Sequence, residues 1–248
     1  MSFQLRGVTV RRQGQKVLST IDHGFESGLV SGVVGPNGSG KSSPLRTLYG
    51  YLEVDEGSVI LEDRELTRWN PRELASRLGV CPQESEPSLD FRIDQVLALP
   101  LGGDLSTMKE QSARLDFLRL ETLYDRTLSQ LSGGERQRVR LGMALMKEAP
   151  WLILDEPINH LDLATGWSLM RYLQKPREGG VLLALHDLTT AAHYCQNLLV
   201  LRDGEKVAAG PPREVLTPEL LKTVFRLDAK IEWSTEPPGL KVLGVEVG

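Results

Sequence analysis

Cysteine, surplus positive charge and long apolar runs are what this sequence lacks. Its two cysteines, Cys81 and Cys195, each sit in an apolar stretch without the paired spacing of a zinc site or redox motif. A disulfide-stapled fold is excluded, and both read as buried thiols of a reducing compartment. Lys and Arg number 29 against 33 Asp and Glu, a net charge of −4. No basic footprint is left to neutralise a run of phosphates, so no nucleic-acid partner is expected. Nowhere do about 18 consecutive apolar residues occur, so no helical membrane span is expected. The start of the chain alternates apolar with polar residues instead of carrying the hydrophobic stretch of a signal peptide, and no export is expected. Any role at a membrane must run through a partner.

What is present is ordinary globular composition, 40% hydrophobic and 25% charged over 248 residues, enough for a core in one domain or one domain with a lobe. Residues 5–10 alternate with period two, and Arg12-Gln13-Gly14-Gln15 follows as a turn, a β-rich start. Residues 29–34 read as a short buried strand entering a glycine-rich loop, with a helix over 41–51. A strand over 57–61, a helix over 71–78 with proline at its start, and a strand at Val80-Cys81 come next. From 85 to 147 the texture changes to helix-like stretches (93–99, 106–120, 135–147) between glycine breaks, with no convincing strand. The core resumes with a strand over 151–154, a helix near 161–174, a strand over 181–185, and a hairpin of 198–201 and 206–209 around Asp203-Gly204. A helix over 213–225 and a weakly patterned tail complete it. Strands alternating with helices predict an α/β fold with a mostly parallel sheet. Within it, 85–147 is expected as a helical lobe inserted in a core of 1–84 and 148–248.

Gly35-Pro36-Asn37-Gly38-Ser39-Gly40-Lys41-Ser42 satisfies G-x-x-x-x-G-K-[ST] and lies between an expected strand and an expected helix, the context that pattern requires. Glycines permit backbone conformations closed to other residues, so successive N–H groups can turn inward and bind phosphate oxygens beside the positive end of the helix. Lys41 is placed to reach β- and γ-phosphates and Ser42 to ligate Mg²⁺. Pro44 stands in the first turns of that helix, where proline is tolerable early and damaging later. Asp155 and Glu156 stand at the carboxyl end of a buried strand, where open α/β sheets hold ligands. Asp155 is expected to act on Mg²⁺ through water, and Glu156 to polarise the attacking water as general base. Ser132 and the two glycines after it stand at a helix start, a position suited to anions.

Leu131-Ser132-Gly133-Gly134-Glu135-Arg136-Gln137 resembles the signature sequence of the ABC ATPases, and the resemblance runs in family order over nearly the whole chain. It implies a P-loop NTPase core, a mostly parallel sheet with an antiparallel β subdomain, plus an inserted helical subdomain. It implies ATP and Mg²⁺ as ligands, with Gly35, Asn37, Gly38, Ser39, Gly40, Lys41, Ser42 and Ser43 around the phosphates. Gln83 matches the glutamine that senses Mg²⁺ and the γ-phosphate, Asn159-His160-Leu161-Asp162 the D-loop, and His186 the switch histidine. His23, His160 and His193 are expected to be structural. Ser132, Gly133 and Gly134 of one protomer would complete the site formed by Gly35 to Ser43 and Glu156 of a second, so the implied assembly is a head-to-tail homodimer closed by ATP.

Arg12 stands where the family usually has an aromatic residue against adenine; a guanidinium plane can stack there instead. Ile158 and Pro44 also depart from the usual threonine and leucine. The segment from Asp90 to Leu97, and those beginning at His186, Val207 and Glu214, resemble the ATPases of bacterial importers for iron–siderophore complexes, haem and cobalamin. That resemblance implies integral-membrane permease subunits, docked near Gln83 and the residues after it, and indirectly a secreted binding protein. It implies a peripheral position at the cytoplasmic face of the inner membrane. Importers of other substrates, a non-transport ABC ATPase such as an iron–sulfur assembly factor, and a nucleotide-gated module without turnover stay open as alternatives.

Overall fold

The computed structural model describes residues 2–83, 91–235 and 238–247. Asp90 and the residues directly after Gln83, where permease docking is expected, lie outside them. The chain divides into two compact units, Met1–Trp69 with Pro176–Gly248, and Asn70–Lys175. The first unit opens with β1 (Ser2–Arg12), β2 (Gln15–Glu26), β3 (Val30–Val34), α1 (Ser42–Leu48), β4 (Glu56–Leu61) and β5 (Arg64–Glu65). The second holds α2 (Pro71–Arg77), β6 (Leu78–Cys81), α3 (Ile93–Ala98), α4 (Leu105–Arg114), α5 (Gly133–Leu145), β7 (Trp151–Asp155) and α6 (Leu163–Leu173). The chain returns to the first with β8 (Val181–Ala184), α7 (Leu188–Tyr194), β9 (Asn197–Arg202), β10 (Glu205–Gly210), α8 (Pro212–Val215), α9 (Pro218–Phe225), β11 (Leu227–Thr235) and β12 (Pro238–Val247).

In the first unit β1 pairs antiparallel with both β2 and β4. Phe3, Leu5, Val8 and Val10 of β1 are buried with Leu18, Ile21 and Phe25 of β2, one apolar face made by two strands. The β1–β2 turn is Gln13-Gly14, with φ of 50° and 79° between the paired Arg12 and Gln15, a two-residue hairpin turn that matches strand twist. A second sheet pairs β3 in parallel with β8 and β9, and β9 antiparallel with β10. All five residues of β3 and all four of β8 are buried, as strands covered on both faces require. In the second unit β6 and β7 are parallel, Leu78 opposite Trp151 and Cys81 opposite Leu154. The expected α/β fold, a P-loop core of mixed sheets with helical insertion, is the fold observed.

Several local expectations shift. The first helix ends at Leu48 and not near Tyr51, because Gly50 takes φ 74° and closes the end with Gly50 N–H to Thr47 O (3.1 Å) and Tyr51 N–H to Arg46 O (2.9 Å). The stretch expected as one helix over 213–225 is two, α8 and α9. Pro218 lacks an N–H, starts α9 at its first position, and Thr217 caps it through Leu220 N–H at 3.2 Å. The weakly patterned tail pairs as the antiparallel hairpin β11–β12. Over 91–147 the described residues hold helices and one isolated bridge, Arg92 with Thr127. Both cysteines are free and buried, and burial pushes each thiol up to about 12.

The expected membrane-face position is corrected. Among the described residues no helix is long and apolar enough to cross a membrane.

Candidate functional site

Each unit carries its own group of the sequence-predicted residues. In the first, β3 runs straight into the glycine-rich loop and α1. Gly38 and Gly40 take φ of 80° and 91°, conformations that disfavour any side chain. Gly35 is close-packed: a Cβ there would stand 2.2 Å from Leu201 O and 2.5 Å from Ser39 Oγ. Lys41 is only 7% exposed, and its Nζ donates to Gly35 O (3.0 Å) and Pro36 O (3.1 Å), so the loop closes on its own ammonium. Ser39 N–H donates to Pro36 O (3.1 Å) and Ser43 N–H to Gly40 O (2.9 Å). Asn37 and Gly38 are exposed and Ser42 half-buried, at the start of α1. Pro44 falls at the third position of α1, where a backbone N–H has no partner within the helix, so the ring costs no helical hydrogen bond. A buried ammonium beside hydroxyls and two left-handed glycines suits a polyphosphate with Mg²⁺.

His186 leaves the same end of the sheet. Leu185 N–H donates to Val33 O (3.0 Å), so the exits of β8 and β3 are in register, and His186 follows exposed, one residue before Asp187. Asp187 caps α7 through Thr189 N–H (3.1 Å) and Thr190 N–H (2.9 Å). Arg12 is exposed at the end of β1 beside the Gln13-Gly14 turn.

In the second unit the parallel register of β6 and β7 brings Gln83 and Glu156 together. Gln83 Nε2 donates to Glu156 Oε2 (3.2 Å), and Asn159 Nδ2 donates to the same oxygen (2.5 Å). Glu156 has φ 50°, a left-handed backbone that a β-carbon disfavours and that concentrates at functional positions. Asp155 is the buried last residue of β7, 3% exposed. Ser132 caps α5 in a reciprocal box: Glu135 N–H donates to Ser132 Oγ (3.3 Å), while Ser132 N–H and Oγ–H both donate to Glu135 Oε2 (2.8 Å each). Those bonds, with Arg126 and Arg138 nearby, hold the Glu135 carboxyl below its ordinary range. Gly133 is exposed with open space where a side chain would stand; a Cβ on Gly134 would fall 2.6 Å from His160 O, so only glycine lets α5 approach the D-loop this closely.

Four residues have a part in one or the other unit's group that the sequence alone does not assign to them. Asn159, in sequence only a member of the D-loop resemblance, grips Glu156. Gln137 is 3% exposed and donates to Pro157 O (3.0 Å), and Arg140 Nη1 donates to Gln83 O (3.1 Å). A polar residue on the buried face of a helix signals Gln137; nothing local signals Arg140. Gly204, in sequence a hairpin turn, has a second part. Its N–H donates to Ser39 O (3.1 Å) and its carbonyl accepts from Ser19 N–H (2.9 Å), tying the phosphate loop to β2. A Cβ at Gly204 would stand 2.7 Å from Val17 O on a backbone of φ 77°. Gly204→Ala is expected to cost roughly 1–3 kcal/mol of stability, read as a lower urea midpoint; an unchanged midpoint would show that the turn carries no such strain.

Comparison with known proteins adds to this geometry. The family described as ABC transporter matches residues 18–159, more than half of the chain. The chain is 39% identical over 241 residues to the hemin import ATP-binding protein HmuV of Pseudomonas fluorescens, covering 93% of this chain and 94% of that protein. It is 33% identical over 249 residues to the cobalamin import ATP-binding protein BtuD of Halobacterium salinarum, covering 96% of this chain and 61% of that one. Its fold superposes with a TM-score of 0.79 on the structure of an ATP-binding subunit of an ABC transporter, at 23% identity, covering 87% of this chain and 92% of that one. A phosphate loop closed on Lys41, a signature serine capping α5 and an acidic strand end therefore sit in a chain that belongs to the ABC transporter family, as an ATP-binding subunit resembling the siderophore, haem and cobalamin importer ATPases.

Proposed function

We propose that this chain is the ATP-hydrolysing subunit of an ABC importer whose cargo is haem or a related large metal chelate of the iron–siderophore or cobalamin type. Similarity to hemin and cobalamin import ATPases over nearly the whole chain supports the cargo class. The observation that carries the hydrolytic reading is Glu156, held by Gln83 and Asn159 on a left-handed backbone at the end of a buried strand. As general base it would take a proton from water as the water oxygen bonds to the γ-phosphorus and the bond to the bridging oxygen of ADP breaks. The loop residues Gly35, Asn37, Gly38, Ser39, Gly40 and Ser43 with Lys41 would hold the phosphates, and Arg12 would stack on the base. Ser42 and Asp155 would hold Mg²⁺, with Gln83 to sense it, and His186 would contact the γ-phosphate. Bound Mg²⁺ would supply charge neutralisation at the phosphate oxygens.

Ser132, Gly133 and Gly134, on the helical subdomain of 85–147, act on nucleotide held by a second copy, so the working unit is a head-to-tail homodimer on two permease subunits that receive cargo from a binding protein. Sedimentation of the Glu156→Gln chain tests this. Dimer is expected with Mg-ATP and monomer with Mg-ADP, and Ser132→Arg should abolish the dimer by filling the contact. A chain that stays monomeric with Mg-ATP, alone and with its co-expressed permease, overturns the reading. Co-purification with a polytopic permease separates transport from a non-transport ATPase.

A further inference from the structure

Helix α5 does more than present Ser132. Gly134, Gln137 and Arg140 are spaced by three residues along it, neighbours on a helical surface, and between them they meet two other segments. Gly134 lies against His160 O, Gln137 donates to Pro157 O, and Arg140 Nη1 donates to Gln83 O. Two of the three thus reach the loop that carries Glu156. The third reaches the backbone of the residue whose side chain donates to Glu156 Oε2. The helix is seated firmly enough to transmit position: a Cβ on Gly79 of β6 would stand 2.4 Å from Ala144 O, and one on Gly142 would stand 2.7 Å from Leu120 Cδ1. Arg140 is also costly to keep there. Its Nε is buried with no hydrogen-bond partner among the described residues, a desolvation cost that stability alone does not account for.

We propose that Arg140 is a positioning residue for hydrolysis: from the helix that begins at Ser132 it fixes the Gln83 carbonyl, and through it the Gln83 side chain on Glu156. The inference rests on Glu156 being the general base. Engagement of Ser132 by nucleotide on a second copy then has a covalent and hydrogen-bonded route, through α5, Arg140 and Gln83, to the base of this copy's own site.

Steady-state ATPase kinetics and hydrogen exchange on the full chain test it together. Arg140→Met is expected to lower kcat about tenfold with KM for Mg-ATP unchanged, the split left when a group acts only in the transition state. Arg140→Lys, which keeps a donor, recovers most of the loss. In a Gln83→Ala background Arg140→Met costs nothing further, because the two act in series. Backbone amides around Gln83 exchange faster in Arg140→Met and return to the wild-type rate in Arg140→Lys. An unchanged kcat, a raised KM at constant kcat, or full multiplication of the two single effects overturns the proposal. Should the wild-type chain hydrolyse ATP no faster than Glu156→Gln, the proposed function fails instead; exchange around Gln83 then decides alone, and an unaltered rate in Arg140→Met overturns the positioning role.

Discussion

Glu156→Gln is expected to lower the ATP turnover of the purified chain by roughly 10²–10⁴, the contribution of a positioned general base. The substitution is isosteric. Rotating the amide so that its oxygen replaces Oε2 keeps the acceptor for Gln83 Nε2 and Asn159 Nδ2, so the strained backbone stays supported while the base is lost. Thermal stability should therefore hold within about 1 kcal/mol, and binding of Mg-ATP should persist. Phosphate release under saturating Mg-ATP measures the effect. Equal release by both proteins, at a background rate, favours a nucleotide-gated module without turnover.

Lys41→Ala carries the second large effect, on binding. A hydrogen bond to a charged group is worth about 1.5–3 kcal/mol, so Kd for Mg-ATP should rise roughly ten- to a hundredfold. The structure adds a second cost. Lys41 Nζ now satisfies Gly35 O and Pro36 O, and removing it leaves the loop without the ammonium around which it closes. Titration calorimetry with Mg-ATP reads the affinity, and a Kd equal to the wild-type value would mean that the phosphates bind elsewhere. Lys41 is expected to hold the phosphates and Glu156 to act on the attacking water, so the first substitution should read mainly in affinity and the second in turnover.

Much of the candidate site was legible in the sequence because it obeys local rules. A glycine-rich loop between strand and helix, Ser132 three residues before Glu135, and Asp155-Glu156 ending an apolar run each state their geometry within a few residues. Pro44 shows where this stops. Its tolerance depended on whether the helix began at Ser42 or two residues away, a matter of boundary and not of composition. The tail shows it again: β11 and β12 stabilise one another by pairing, and neither alone carries a clear alternation.

By itself the sequence determined the family, the strand-loop-helix around Lys41 and the capped start of α5, since each depends on neighbours within one turn or one loop. Only the tertiary structure decided what holds Glu156. Gln83 lies 73 residues before it and Arg140 lies 57 beyond Gln83, and those bonds exist because the parallel register of β6 with β7 and the close seat of α5 on Gly79 bring distant segments to one height. Hydrogen bonds act over about 3 Å, so such partners follow from packing and cannot follow from spacing along the chain.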